Sequence, residues 1–205
     1  DSIYKTAGGL HGVGISVVNA LSDKLTVEVA RDQELWVQTY VRGKPQGQLK
    51  SKGKVRNRRG TMIKFHPDPE IFDKLISFSP ARLYRLVRSK AYLFRGVEIR
   101  WKCASKMLSN DNDVPEKETL HFPGGLRDFL ATSLGERKLV TAKVFAGEAL
   151  LNANAGRVEW AIAWTKESGG SLSSYCNTVP TSQGGTHEAG LLNALSGGLK
   201  TYGSL

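Results

Sequence analysis

The residues best suited to chemistry stand near the start of the chain, in Gly8-Gly9-Leu10-His11-Gly12-Val13-Gly14, directly ahead of Ile15-Ser16-Val17-Val18-Asn19-Ala20-Leu21. Apolar Val17, Val18 and Leu21 fall at i, i+1 and i+4, a helical face that starts where the glycines stop. Glycines reach backbone conformations closed to other residues and let a ligand approach the main chain. A helix start adds unpaired N–H groups and a positive dipole end, which suit a phosphate. Two familiar phosphate patterns do not fit. The dinucleotide fingerprint needs a preceding strand, and Ser2–Ala7 is a poor one; the P-loop pattern needs a Gly-Lys-Ser/Thr that does not follow. On the residues alone, a phosphate cradle and a tight structural turn both stand.

Other chemistries find less support. Four His and two Cys, Cys103 and Cys176, contain no His-x-x-x-His or Cys-x-x-Cys spacing, so neither a protein metal site nor a disulfide framework is expected. The cysteine usage and the lack of a basic, apolar leader in Asp1-Ser2-Ile3-Tyr4-Lys5 point to a reducing cytoplasm. No apolar run reaches the length of a membrane helix. Twenty-nine Lys and Arg against nineteen Asp and Glu leave a net charge of +10, which favours a polyanionic partner: nucleic acid, nucleotide or membrane surface. The chain opens without Met, straight into the glycine motif, and is expected to be a piece of something longer.

These residues need elements to hold them. Leu25-Thr26-Val27-Glu28-Val29 alternates apolar and polar, predicting a half-buried strand, with Leu35–Val41 as its hairpin partner through Arg31-Asp32-Gln33-Glu34. Arg42–Arg59 holds eight Lys or Arg and no acid, and Gly43, Pro45, Gly47 and Gly53 are expected to break any long element there. Gly60–Phe65 predicts a strand stopped by His66-Pro67-Asp68-Pro69. Pro80–Phe94 predicts a helix ended by Gly96, and Val97–Trp101 alternates as a strand. The polar stretch Ala104–Glu118, with Pro115, is the expected boundary region. Beyond it the pattern predicts a helix at Leu126–Leu134, strands at Val158–Trp164 and around Leu172–Asn177, and a helix from near Glu188 toward Leu199. Thr186 would cap that helix, with Glu188 in its first turn and His187 in a structural role. Mixed elements without regular alternation predict an α+β fold in two layers.

Longer blocks carry a resemblance. Tyr4-Lys5 followed by Ala7–Ser22 closely resembles the ATP-lid and glycine box of type IIA topoisomerase B subunits, the DNA gyrase and topoisomerase IV ATPases of the GHKL superfamily. Arg59-Gly60-Thr61, then Phe65, then Pro67-Asp68-Pro69 agrees in order and spacing. Asn177–Leu191, containing Gly184-Gly185-Thr186-His187, is similar to the Gly-Gly-Thr-His segment of the family's transducer domain. That last block and Val158-Glu159-Trp160-Ala161 lean toward the topoisomerase IV type over gyrase. The resemblance implies the C-terminal part of a GHKL-type ATPase α/β sandwich in residues 1–122, then part of a ribosomal-S5-like transducer domain in residues 123–205.

By that resemblance, the backbone of Gly9, Leu10, His11, Gly12, Val13, Gly14, Ile15 and Ser16 would wrap the phosphates of ATP. Tyr4 and Lys5 would sit in the lid, Thr61 would approach the adenine, and Arg31 would stand at the mouth of the pocket, where ATP-competitive inhibitors of the family reach. The family's Glu base, its Mg²⁺-binding Asn and its adenine-reading Asp lie upstream of Asp1, and its transducer Lys lies past Leu205. No residue here is assigned to catalysis or to metal, and the 205 residues by themselves are expected neither to hydrolyse ATP nor to bind it tightly. None of Glu28, Glu34 or Glu70 occupies a motif position for the base.

The implied parent is an ATP-hydrolysing type II topoisomerase that uses ATP and Mg²⁺ to drive duplex DNA passage. Its partners would be duplex DNA, the A-type cleavage subunit of topoisomerase IV, and another copy of the B subunit through an N-terminal arm. No membrane partner is expected. The competing readings are a gyrase B segment and a non-enzymatic basic nucleic-acid-binding module with a structural glycine loop. Arg42–Arg59 reads as a solvated connection or as a DNA-facing loop, and it lacks the aromatics that would stack single strands. Arg82, Arg85 and Arg88, at i, i+3 and i+6, can share a helix side with DNA, and Lys90 adds a fourth cation on that helix.

Overall fold

A computed structural model describes residues 12–73, 77–108, 114–151, 156–167 and 169–205. Contacts divide the chain after Ser77 into two compact units. The fold is α+β, with helix and sheet in both units.

The first unit opens with α1 (Gly14–Ala20) and continues into β1 (Ser22–Arg31), where the Ser22 hydroxyl donates back to the Val18 carbonyl at 2.6 Å. The alternation of Leu25, Val27 and Val29 produces the predicted strand, and β2 (Glu34–Val41) pairs with it antiparallel. Their connection is a two-residue turn: Asp32 and Gln33 both take positive φ, +53° and +63°, the twist that a tight hairpin requires. β5 (Gly60–Pro67) pairs with the other edge of β1 and runs on through His66 to Pro67, beyond the predicted stop at His66.

The basic run is not a bare connection. It forms β3 (Lys44–Pro45) and β4 (Lys50–Lys54), both hydrogen-bonded to the outer edge of β2. Two of its cations hold the unit together. Asp68, 1% exposed, accepts from Arg42 Nε at 2.6 Å and from the Glu70 N–H at 2.9 Å, while Arg42 also reaches Glu70 at 2.5 Å. Arg58 pairs with Glu28 at 2.6 Å.

The second unit is built around α2 (Pro80–Leu93), whose start follows from its sequence: the Ser79 hydroxyl accepts from the Arg82 N–H, and proline fills the first turn. β6 (Glu98–Lys102) and β7 (Lys117–His121) form a hairpin, so the polar stretch expected at a boundary is the hairpin's connection, tied by Trp101 Nε1 donating to the Pro115 carbonyl at 2.9 Å. Polar composition hid β7 there. Ala91 and Tyr92 of α2 meet Leu120 of β7 and Phe122, packed against Leu126 and Phe129 of α3 (Leu126–Leu134). Tyr92 stacks on Phe129 with centroids 3.8 Å apart.

β8 (Phe145–Leu151), unrecognised in the sequence, pairs with β9 (Gly156–Ile162). The strand expected around Leu172–Asn177 shrinks to β10 (Tyr175–Cys176), closed by a tight turn at Asn177-Thr178 onto β11 (Val179–Pro180). α4 runs Thr186–Gly203, longer at both ends than expected. Thr186 is therefore its first residue and not its cap; extended Gly185 takes that place without a capping side chain. His187 stands 3.3 Å from the Thr181 hydroxyl and Glu188 accepts from Ser174 at 2.9 Å, so both knit the preceding loop to the helix.

Candidate functional site

Of the glycine segment and lid, Tyr4, Lys5, Gly9, Leu10 and His11 lie outside the described residues. Gly12 holds φ +65°, a conformation that favours glycine. Val13 enters α1 with no side-chain cap, and the helical ladder starts with Val17 N–H donating to the Val13 carbonyl at 3.0 Å. The N–H groups of Gly14, Ile15 and Ser16 thus precede the ladder. Among the described residues a Cβ built on Gly14 meets nothing within 4 Å, which leaves main chain at the helix start open to approach from them.

Thr61 and Arg31 come together through register. Thr61 on β5 lies opposite Val29 on β1, and Arg31 lies two residues further along β1 on the same face. Both line a cavity of about 680 Å³ together with Val29, Arg58, Arg59 and Gly60. Among the described residues, Gly12, Val13, Gly14, Ile15 and Ser16 do not line it. Arg31 is largely exposed and stands 3.4 Å from Asp32, an arrangement that leaves its guanidinium available to a ligand.

A neighbouring cavity of about 650 Å³ shares Arg31 and adds Trp36, Leu49 and Lys54. Arg58, Trp36 and Lys54 line these cavities without any motif to mark them. Counting antiparallel register outward from the Asp32-Gln33 turn places Trp36 beside Val29, and that count follows from the sequence alone. The position of Lys54 does not, because a bulge intervenes in β4.

Arg82 and Arg85 are exposed on α2 and make no ion pair among the described residues. The expected third and fourth cations turn elsewhere. Each three-residue step falls about 60° short of a full turn, so Arg88 stands about 120° from Arg82. It lies over the Phe129 ring at 5.2 Å. Lys90 Nζ donates to the carbonyl and hydroxyl of Thr178 at 2.8 and 2.9 Å, and burial holds its pKa below the usual lysine value. The cationic side of α2 is therefore Arg82 and Arg85 without Arg88.

No three His, Cys, Asp or Glu side chains gather into a metal-holding group among the described residues, and Glu28 and Glu70 are engaged with arginines. These residues do not fit a protein-held Mg²⁺. Among the described residues no helix is long and apolar enough to cross a membrane.

One unit holds a cavity at its strand ends and a glycine-led helix, and it is joined in sequence to a second α+β unit; solved GHKL-type ATPase domains share this fold. The family described as DNA gyrase B matches residues 125–205. The B subunit of DNA topoisomerase 4 from Bartonella bacilliformis is 52% identical over 202 residues, which cover 98% of this chain and 29% of that protein. The 43K ATPase domain of Thermus thermophilus gyrase B, solved with an aminocoumarin, superposes with a TM-score of 0.75 at 29% identity, covering 95% of this chain and 50% of that one. The topoisomerase IV ATP-binding domain of Francisella tularensis, solved with a small-molecule inhibitor, gives 0.66 at 31% identity over 96% of this chain and 51% of that one. The chain belongs to the type IIA topoisomerase B-subunit family, and it spans about three-tenths of the length of the curated relative it matches.

Proposed function

We propose that this chain is the segment of a topoisomerase IV type B subunit that carries the phosphate-binding loop and the start of the transducer, coupling ATP binding and hydrolysis to duplex DNA passage. The observation that carries the reading is the 52% identity to a topoisomerase IV relative across 98% of the chain, glycine segment included. Residues 1–122 would complete the ATPase domain and residues 123–205 would begin the transducer. Main-chain N–H groups from Gly9 to Ser16 would hold the ATP phosphates, with Tyr4 and Lys5 in the lid. Thr61 would face the adenine and Arg31 the pocket mouth. Mg²⁺ and the general base would come from parts of the domain beyond these residues. Met62 and Ile63 of β5, each about two-fifths exposed, support the idea that a larger domain covers this sheet.

In the intact protein the partners would be duplex DNA, the cleavage subunit and another copy of the B subunit. Arg82 and Arg85 would meet the duplex. The test is a chain spanning the length of its relatives, assayed with the cleavage subunit. ATP-dependent decatenation supports the reading, and supercoiling would assign the chain to gyrase instead. Failure of that longer chain to bind nucleotide saturably would leave the basic binding module as the better account. The 205 residues alone are expected to show no ATP turnover above a buffer control.

A further inference from the structure

We propose that the outer edge of the first unit's sheet, formed by β3, β4 and the segment after them, is a contact surface for the phosphate backbone of duplex DNA. The proposal rests on the topoisomerase reading for its occupant; the surface itself is argued from charge and register. Within Arg42–Arg59, which contains no carboxylate, Arg42 and Arg58 are already spent on Asp68, Glu70 and Glu28. Lys44, Lys50, Lys52, Lys54, Arg56 and Arg59 are all exposed, and none makes an ion pair among the described residues. Six cations outside any ion pair among the described residues, set within sixteen positions, make a strongly positive rim.

The register spreads that charge around the rim. Lys50 lies opposite Val37, Ser51 opposite Trp36 and Lys54 opposite Glu34, so three steps on β4 match two on β2. The extra residue is a β-bulge, and Gly53 within it takes φ +91°. Val37 and Glu34 are an odd number of residues apart and point to opposite faces, so Lys50 and Lys54 do too. Simple alternation would have put Lys50, Lys52 and Lys54 on one side. Instead the cations straddle the free edge, where a phosphate backbone can be met edge-on.

No aromatic residue interrupts the segment, which removes the stacking platform that single strands use and leaves phosphate neutralisation of a duplex. Edge lysines also guard sheets against edge-to-edge pairing, the main competing account. Guarding requires charge on the strand alone, whereas here it continues through Arg56 and Arg59 and onto β3.

The test is fluorescence anisotropy of a labelled duplex with the 205-residue chain across a salt series. Changing Lys50, Lys52, Lys54 and Arg56 to Gln should flatten the slope of log affinity against log salt by about 0.9 for each phosphate no longer neutralised, up to about 3.6. The exposed pair Lys52→Gln/Arg56→Gln, outside every ion pair described, should flatten it by up to about 1.8 and covers the case in which the fourfold variant misfolds. An unchanged slope in both variants overturns the proposal. If Arg82→Ala/Arg85→Ala then flattens it, DNA binding survives and only this surface fails. A wild-type chain that binds no duplex at about 50 mM salt would defeat the surface and the DNA role together. An unchanged slope with new self-association in sedimentation would make the lysines edge guards, and that also overturns it.

Discussion

Replacing Gly14 by alanine should separate the two readings of the glycine segment, because stability and nucleotide affinity ought to move in opposite directions. Gly14 is the first residue of α1, has no positive φ, and leaves an added Cβ with no neighbour within 4 Å among the described residues. Alanine there removes backbone freedom from the unfolded chain and raises helix propensity, which stabilises by roughly 0.4–1 kcal/mol. A structural turn would lose nothing. If a phosphate comes against the main chain at this helix start, the new methyl occupies its path. Displacing even one hydrogen bond to that phosphate would cost about 1.4 kcal/mol, or tenfold in affinity. Gly12→Ala is the control: at φ +65° it forces alanine into the left-handed region and should destabilise by about 1 kcal/mol through strain alone. Chemical denaturation of the 205-residue chain reads the stability half, and nucleotide titration of a chain with its relatives' full span reads the other. Wild-type nucleotide affinity in Gly14→Ala would refute the phosphate role. A loss of stability in the same variant would refute the geometry assigned to α1.

Two further outcomes test the packing that holds these sites. The Arg42 guanidinium, with help from the Glu70 N–H, holds the Asp68 carboxyl below the usual carboxylate range. Its stabilising contribution is therefore complete above the unfolded value near about 3.9 and is lost as pH falls through the lower folded value. Asp68→Asn should be less stable than wild type at neutral pH, and the gap should close in acid denaturation curves; a constant gap at every pH would refute the charge argument. Leu120, 2% exposed beneath Tyr92 and Phe122, should lose about 2–5 kcal/mol of unfolding free energy on truncation to alanine. A loss below about 1 kcal/mol would mean that this cluster is not the core of its unit.

Elements with local causes were legible in the residues alone. Leu25, Val27 and Val29 write β1 in a period of two, Ser79-Pro80 starts α2, and the ordered glycine and Gly-Gly-Thr-His blocks carry the family. Each of those signals sits within a few residues of the feature it specifies. Other features depend on partners far along the chain. β4 exists because β2 offers a free edge, and the bulge at Gly53 sends Lys54 to the face opposite Lys50. Arg42, one of eight cations in its run, becomes a clamp because Asp68, twenty-six residues on, is buried beside it. Arg88 and Lys90 are engaged away from the side of α2 that carries Arg82 and Arg85, because Phe129 and Thr178 lie where the helix turns them. Thr61 meets Arg31 only through the antiparallel pairing of β5 with β1. A lysine or arginine has the same charge wherever it stands in a sequence; whether that charge is neutralised, stacked or left for a ligand is set by which distant side chain the fold brings within hydrogen-bond reach.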